Sequence, residues 1–476
     1  MKTLLPFALL LTTALLSAAE PAKPLDLGSR WELFLDESLI AKKQGVALKL
    51  HEPVRREVVL TTDKPWEGST CAYFSAVQDG KKIRLYYRGS SGGSDHSADQ
   101  VTCVVESEDG IHFTRPNLNL IEAGGTKENN VLWRGVESHN FAAFLDTNPA
   151  AKPEERYKAL GGVKQPGKNW HTGETPGGLY AFASADGLTW RKMQPETVLT
   201  KGAFDSQNIA FWDAPKNSYT SYTRIFSNRI RAIQSSTSPD FLNWGDSTQN
   251  RYAEDVPDEH FYTSATVPCP TAPHFYVAFP KRYIASRKKI SGHKQPGVSD
   301  TVFMSSRDGL HWDRPFQEAW LRPGPDPLNW TDRNNMVASG IVETGPGEWS
   351  LYASEHYRYP DHRLRRLTVR KQGFASIHAE AKGGEFITSP LTFTGKKLLL
   401  NYATSASGSV QIEIQDASGQ ALPGFALTDM PELFGDEFES PATWKNGTSL
   451  AALSGKTVRL RIVMRDADLY ALRFAE

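Results

Sequence analysis

The chain is 476 residues long, and its 54 lysines and arginines are matched by 54 aspartates and glutamates. That balance gives no basic field to hold nucleic acid or an anionic membrane, and no stretch beyond the N-terminus offers the roughly 20 apolar residues of a membrane span. Three cysteines, Cys71, Cys103 and Cys269, argue against a disulfide scaffold, and the lack of a Cys-x-x-Cys pair argues against a thiolate zinc site. Spacing leaves Cys71 and Cys103 open as a cross-strand bridge or as two buried thiols.

In chain order, the N-terminus reads as a secretory signal: Lys2, an apolar run over 4–16, then Ser17, Ala18 and Ala19. Residues 1–19 are expected to be removed and the remainder to be secreted or periplasmic, with no lipid anchor because no cysteine follows the small residues. A motif of Ser, any residue, Asp, usually Gly, apolar, any residue, aromatic then recurs at 107–113, 184–190, 238–244 and 306–312, with a worn fifth copy at 370–374. Its chemistry suits a hairpin turn: the Asp carboxylate caps the turn, Gly accepts the left-handed backbone, and the aromatic packs between neighbouring units. Paired strand-like segments accompany these turns at 72–77 with 83–88, 141–146 with 157–161, 209–212 with 219–224, 265–268 with 275–280, and 337–343 with 349–355.

Five units, irregularly spaced and with few helical periods between them, predict an all-β fold, a five-bladed β-propeller over 20–380. Over 381–476 short strands at 397–402, 410–415 and 457–463, with turns at 416–419 and 454–455, predict a separate C-terminal β-sandwich.

Five blades with these Asp-Gly-aromatic turns resemble the invertase, arabinanase and levansucrase superfamily of glycoside hydrolases, whose invertase branch also carries a C-terminal sandwich. The opening Trp31-Glu-Leu-Phe-Leu-Asp36-Glu37, the segments Ser138-His139-Asn140 and Phe204-Asp205-Ser206-Gln207-Asn208, and the ending Asp466-Ala-Asp468-Leu-Tyr470 are similar to exported propeller proteins of planctomycetes and verrucomicrobia. The superfamily resemblance implies a funnel lined by three carboxylates, with Asp205 matching the middle-blade Asp and Asp36 nearest to the first-blade Asp. The Trp-Met-Asn-Asp-Pro-Asn-Gly, Arg-Asp-Pro and Glu-Cys motifs of invertases are absent, so substrate and roles do not carry over with the fold.

Glycoside cleavage needs one carboxyl to protonate the leaving oxygen and a second as base or nucleophile. Asp205 stands among polar side chains where a buried strand would be apolar, and its bland reading is a turn Asp. Glu259-His260 precedes the fourth unit and Glu355-His356 ends a strand of the fifth; either Glu fits the acid, since an imidazole can hold a carboxyl or shift its titration. Both also fit surface pairs, and Asp36 fits a buried structural carboxylate. His139, Asn140, Gln207, Asn208, Arg88, Arg282, His260, His356 and Asn335 fall where sugar-binding groups would reach the funnel. The Arg282 fork suits a carboxylate, sulfate or phosphate, so the carbohydrate substrate is expected to be acidic or sulfated, with a structural ion pair as the alternative. No Gly-rich phosphate cradle, Gly-x-Ser-x-Gly elbow or His-Glu-x-x-His pair occurs. No cofactor is required, and a structural calcium in the loops is compatible with the sequence. The expected function is an exo-acting glycoside hydrolase on a poly- or oligosaccharide, with an inverting phosphorylase and a non-catalytic glycan-binding propeller as alternatives.

Overall fold

The computed structural model describes residues 23–90, 99–162, 178–447 and 449–476. The expected signal peptide at 1–19 lies outside them. The protein is all-β, its only helices among the described residues being short 3-10 turns. Five units of sheet follow in chain order. The first orders Ala72–Asp79, Lys82–Ser90, Gln100–Ser107 and Val131–Arg134; the second Ala142–Leu145, Tyr157–Gly161, Tyr180–Ser184 and Arg191–Lys192; the third Ile209–Asp213, Ser218–Ser227, Ile230–Ser238 and Thr248–Gln249. The fourth is split into Val267–Cys269, Ala272–Ala278 and Met304–Ser306, and a second trio of His260–Phe261, Lys281–Ile284 and Val298–Thr301. In the fifth, Val342–Gly345, Glu348–Glu355 and Arg363–Arg370 are joined on the outside by Val54–Thr61 from the start of the chain.

Small side chains let the first strands of these units converge. Ala76, Ala142, Ala143, Ala210, Ser339 and Gly340, one or more from the first strand of most units, line a cavity of about 70 Å³ together with Ile209, Thr266 and Val267. The last unit meets the first there: the Ala76 amide donates to the Ser339 carbonyl at 2.7 Å and the Ser339 amide to the Phe74 carbonyl at 3.0 Å. A Cβ on Gly340, which has φ +110°, would press into the Ala76 carbonyl oxygen.

The repeated turns dock neighbouring units. In each copy the Asp Oδ1 accepts the amides two and three residues on, at 2.7 to 2.9 Å, as for Asp109 with Ile111 and His112 and Asp308 with Leu310 and His311. Gly110, Gly187 and Gly309 take positive φ, and Phe241 does so in the third copy. Each glycine carbonyl then accepts a tyrosine hydroxyl from another unit: Tyr352 to Gly110 at 2.7 Å, Tyr86 to Gly187 at 2.9 Å, Tyr222 to Gly309 at 2.8 Å. Gly187→Ala is expected to cost about 2 kcal/mol, because the methyl meets Arg84 and the Tyr86 hydroxyl and the backbone is left-handed. A urea midpoint equal to wild type would contradict this docking.

The C-terminal sheet departs from expectation twice. Trp31–Leu33, Ile40–Gln44 and Val46–Leu50, grouped by sequence with the 20–380 unit, pair instead with Arg459–Ala475, Gly384–Thr388 and Ala375–Ala379. Their neighbours Leu27, Phe34, Leu39 and Val46 enter one core with Ile412, Ile462 and Leu469, which explains the placement. The strands expected at 397–402 and 410–415 form one, Lys397–Gln415, paired along Arg459–Ala475. Register shifts at Asn401/Tyr402 and Thr404/Ser409 absorb the polar stretch that reads as a break. All three cysteines are free and buried, so Cys71 and Cys103 do not bridge.

Candidate functional site

Asp205 lies in the loop ahead of Ile209–Asp213, and polar neighbours fix that loop. Asn140 Nδ2 and Asn208 Nδ2 both donate to the Phe204 carbonyl, at 2.5 and 2.9 Å. Ser206 Oγ donates to the Tyr262 carbonyl at 2.6 Å, and Gln207 Nε2 reaches the Phe74 carbonyl at 2.7 Å and Ser339 Oγ at 3.1 Å. Asn140, Gln207 and Asn208, expected to touch sugar, therefore hold this loop in place.

Held in this way, Asp205 is 9% exposed. His139 Nε2 lies 2.8 Å from Asp205 Oδ1, with the Tyr73 hydroxyl at 3.3 Å from the same oxygen and the Tyr262 hydroxyl at 3.5 Å from Oδ2. Burial pushes the Asp205 carboxyl up, but the His139 hydrogen bond and the charges of Arg224 and Arg333 outweigh it and hold it well below the usual range. Burial pushes the His139 imidazole down against the pull of Asp205. His139 Nδ1 lies 2.9 Å from Gln100 Oε1 and 3.4 Å from Arg88 Nη1. Arg88, 1% exposed, also donates to the Thr70 carbonyl at 2.8 Å and to Tyr357 Oη at 3.0 Å.

Sequence reading missed much of the rest. Tyr73, Tyr262 and Tyr357 form one buried cluster with Ala72 and Met336. Asp332 is contacted by His293 Nε2 at 3.3 Å, Arg358 at 3.4 Å and Arg333 Nε at 3.6 Å. Tyr73, Asn335, His356 and Arg358 all have positive φ, a strained conformation for residues other than glycine. Asp332 and Arg333 lie close in sequence to Asn335, already a candidate there; the tyrosines gave no signal distinct from core aromatics.

Among the described residues the other expected carboxylates are paired with arginines. Glu355 pairs with Arg363 at 2.9 Å and Arg365 at 2.7 Å, which hold it below the usual range against burial. Glu259 pairs with Arg282 at 2.9 Å and Arg314 at 2.8 Å, and Arg282 is further held by Asp300 at 2.7 Å. Arg282 is therefore a structural fork. Asp36 is bound by Arg307 at 2.7 Å, next to Glu32, between the N-terminal segment and the fourth unit. His356 is held by Asp326 and Asp361, both at 2.7 Å, and Asn335 Nδ2 by the Ser299 carbonyl at 3.0 Å. His260 Nδ1 accepts the Arg231 amide at 3.1 Å and borders the cup.

His362 bonds Thr62 Oγ1 at 2.9 Å and packs against Tyr357 and Phe74. Burial pushes His362 down to about 3 and His51 to about 4. Between those values and the ordinary histidine range the unfolded chain binds more protons than the folded one. Stability is expected to fall as pH drops from about 6.5 toward 4, with a limiting slope of about 1.4 kcal/mol per unit for each histidine. Asp205 adds nothing in that window, because a depressed carboxyl gives stability above about 4 and loses it only below. Equal denaturant midpoints at pH 7 and pH 5 would rule this out.

Among the described residues no group of three or more His, Cys, Asp or Glu is placed to hold a metal ion, and no helix is long and apolar enough to cross a membrane. No family model matches the chain, and no curated protein matches it. Glycoside hydrolases recur among the solved structures it resembles. One called a glycoside hydrolase is 10% identical with TM-score 0.44, covering 67% of this chain and 92% of that one. An N-acetylgalactosamine deacetylase from F. plautii, in complex with blood group B trisaccharide, is 11% identical with TM-score 0.46, over 69% and 96%. A GH32 β-fructofuranosidase of Bombyx mori is 11% identical with TM-score 0.42, over 90% and 94%. At such identities a neighbour's activity does not transfer to this chain.

Proposed function

We propose that the chain is an exported, exo-acting glycoside hydrolase whose five units close as a five-bladed propeller, with a C-terminal accessory sandwich, and whose cup takes the end of an acidic or sulfated poly- or oligosaccharide. The observation that carries this reading is Asp205: an ionised, buried carboxylate ahead of an innermost strand, hydrogen-bonded by His139 and two phenols and flanked by arginines. Buried ionic clusters of this kind are costly to a fold and gather at functional sites. Asp205 would take a proton from water as the water oxygen bonds the anomeric carbon and the glycosidic C–O bond breaks. The leaving oxygen needs a proton donor. Glu259, Glu355 and Asp332 are each paired with two or more arginines, and none of the three is assigned that role.

The surplus of cations favours a second reading, an inverting phosphorylase. Phosphate attacks without needing a base, so one carboxyl suffices as acid, and a phosphate dianion beside Asp205 would raise its carboxyl toward protonation. The experiment is a screen of aryl glycosides and acidic oligosaccharides with and without inorganic phosphate. Free sugar released without phosphate supports hydrolysis, and sugar phosphate formed only with phosphate supports the second reading. Turnover of no substrate in either condition, with sugar binding intact, would leave a glycan-binding protein.

A further inference from the structure

We propose that Arg224, Arg231, Lys281 and Arg333 form an oxyanion subsite beside Asp205, one that takes a sulfate, carboxylate or phosphate group carried by the sugar or supplied as free phosphate. The inference rests on the cup being the glycan site, and it names the charge that the cup reads.

All four basic side chains stand around one ring. From the Tyr262 centroid the Arg224 and Arg231 guanidinium carbons lie 4.8 and 5.5 Å away, the Arg333 carbon 5.2 Å and Lys281 Nζ 4.3 Å. They come from three stretches: Arg224 and Arg231 from the paired strands Ser218–Ser227 and Ile230–Ser238, Lys281 from Lys281–Ile284, and Arg333 from the loop ahead of the fifth unit. The Tyr262 hydroxyl in turn is 3.5 Å from Asp205 Oδ2, so an anion held here lies next to that carboxylate.

Like charges gathered in a buried place repel, and folds normally match each with an acid. Here the matching is incomplete. Among the described residues neither Arg224 nor Arg231 has an ion pair; the Arg224 Nε donates to the Ala203 carbonyl at 3.0 Å, and Arg231 faces the rings of Phe226, Tyr262 and Tyr283 with a buried Nε that has no partner. Lys281, fully buried, bonds two uncharged oxygens, Ser299 Oγ at 3.3 Å and the Asp332 carbonyl at 2.8 Å. One residue along the same strand, Arg282 is saturated by Asp300 and Glu259. The strand's alternation thus sends one cation to a structural pair and the other to the cup. An oxyanion, which accepts several N–H donors at once, supplies the missing negative charge.

The test is the binding of sodium sulfate, sodium phosphate and sodium glucuronate to the whole chain, by calorimetry and thermal melting at matched ionic strength, with sodium chloride as baseline. At least one oxyanion is expected to bind saturably, at least tenfold more weakly in R231Q, with R231K keeping more of the affinity and the exposed-loop variant R287Q all of it. Glucuronate or sulfate without phosphate identifies a group on the sugar; phosphate alone identifies a free co-substrate. Melting of R231Q in chloride alongside wild type separates lost binding from lost folding. No saturable binding of any of the three, or unchanged binding in R231Q, overturns the subsite. Because these are binding measurements, they stand apart from turnover: loss of turnover in D205N without oxyanion binding would defeat this inference alone.

Discussion

Replacing Asp205 by Asn is expected to lower turnover about a thousandfold, the size of effect seen when a general base is lost, with little change in KM. Asn fills the same space and its carbonyl oxygen can still accept from His139 Nε2, now 2.8 Å from the carboxylate. What it cannot do is take a proton or carry the charge that Arg224 and Arg333 stabilise. Thousandfold corresponds to about 4 kcal/mol of transition-state stabilisation. The measurement is kcat on the substrate found by the screen, beside a melting curve that establishes folding. A variant within threefold of wild type would remove Asp205 from the chemistry.

Arg307→Gln is expected to cost about 4 kcal/mol of stability, because it strands two buried carboxylates. Arg307 binds Asp36 through both oxygens, at 2.7 and 3.0 Å, and Glu32 at 2.7 Å, and these acids are 7% and 1% exposed. The ion pairs tie the N-terminal segment to the turn at Ser306 to Trp312, so their loss loosens the C-terminal sheet from the fourth unit. The same placement separates stability from catalysis: Asp36→Asn should lower the urea midpoint while the folded fraction turns over like wild type. Lost turnover in fully folded D36N would return Asp36 to the catalytic set.

Local signals were legible in the sequence and distant ones were not. The Ser-x-Asp turns could be read because the carboxylate of Asp109, Asp186, Asp240 or Asp308 bonds amides within three residues of itself. Asp205 stood out because polar residues opened a strand that should have been apolar. Glu355 was misleading because Arg363 and Arg365, which occupy it, sit on the next strand, facing a side that sequence does not reveal. Arg224 and Arg231 passed unnoticed for the converse reason: a strand's alternation does not say which face meets a cup. Likewise, no periodicity could show that Val46–Leu50 pairs with Ala375–Ala379, more than three hundred residues on.

The most direct test is a crystal structure of D205N grown with an acidic oligosaccharide that the wild type cleaves. Sugar is predicted beside residue 205, against Tyr73 and Tyr262, with its charged group toward Arg231 and Lys281. Ordered sugar bound elsewhere, for example in the groove lined by His51, Arg370, Phe438 and Tyr470, and an empty cup would contradict the account.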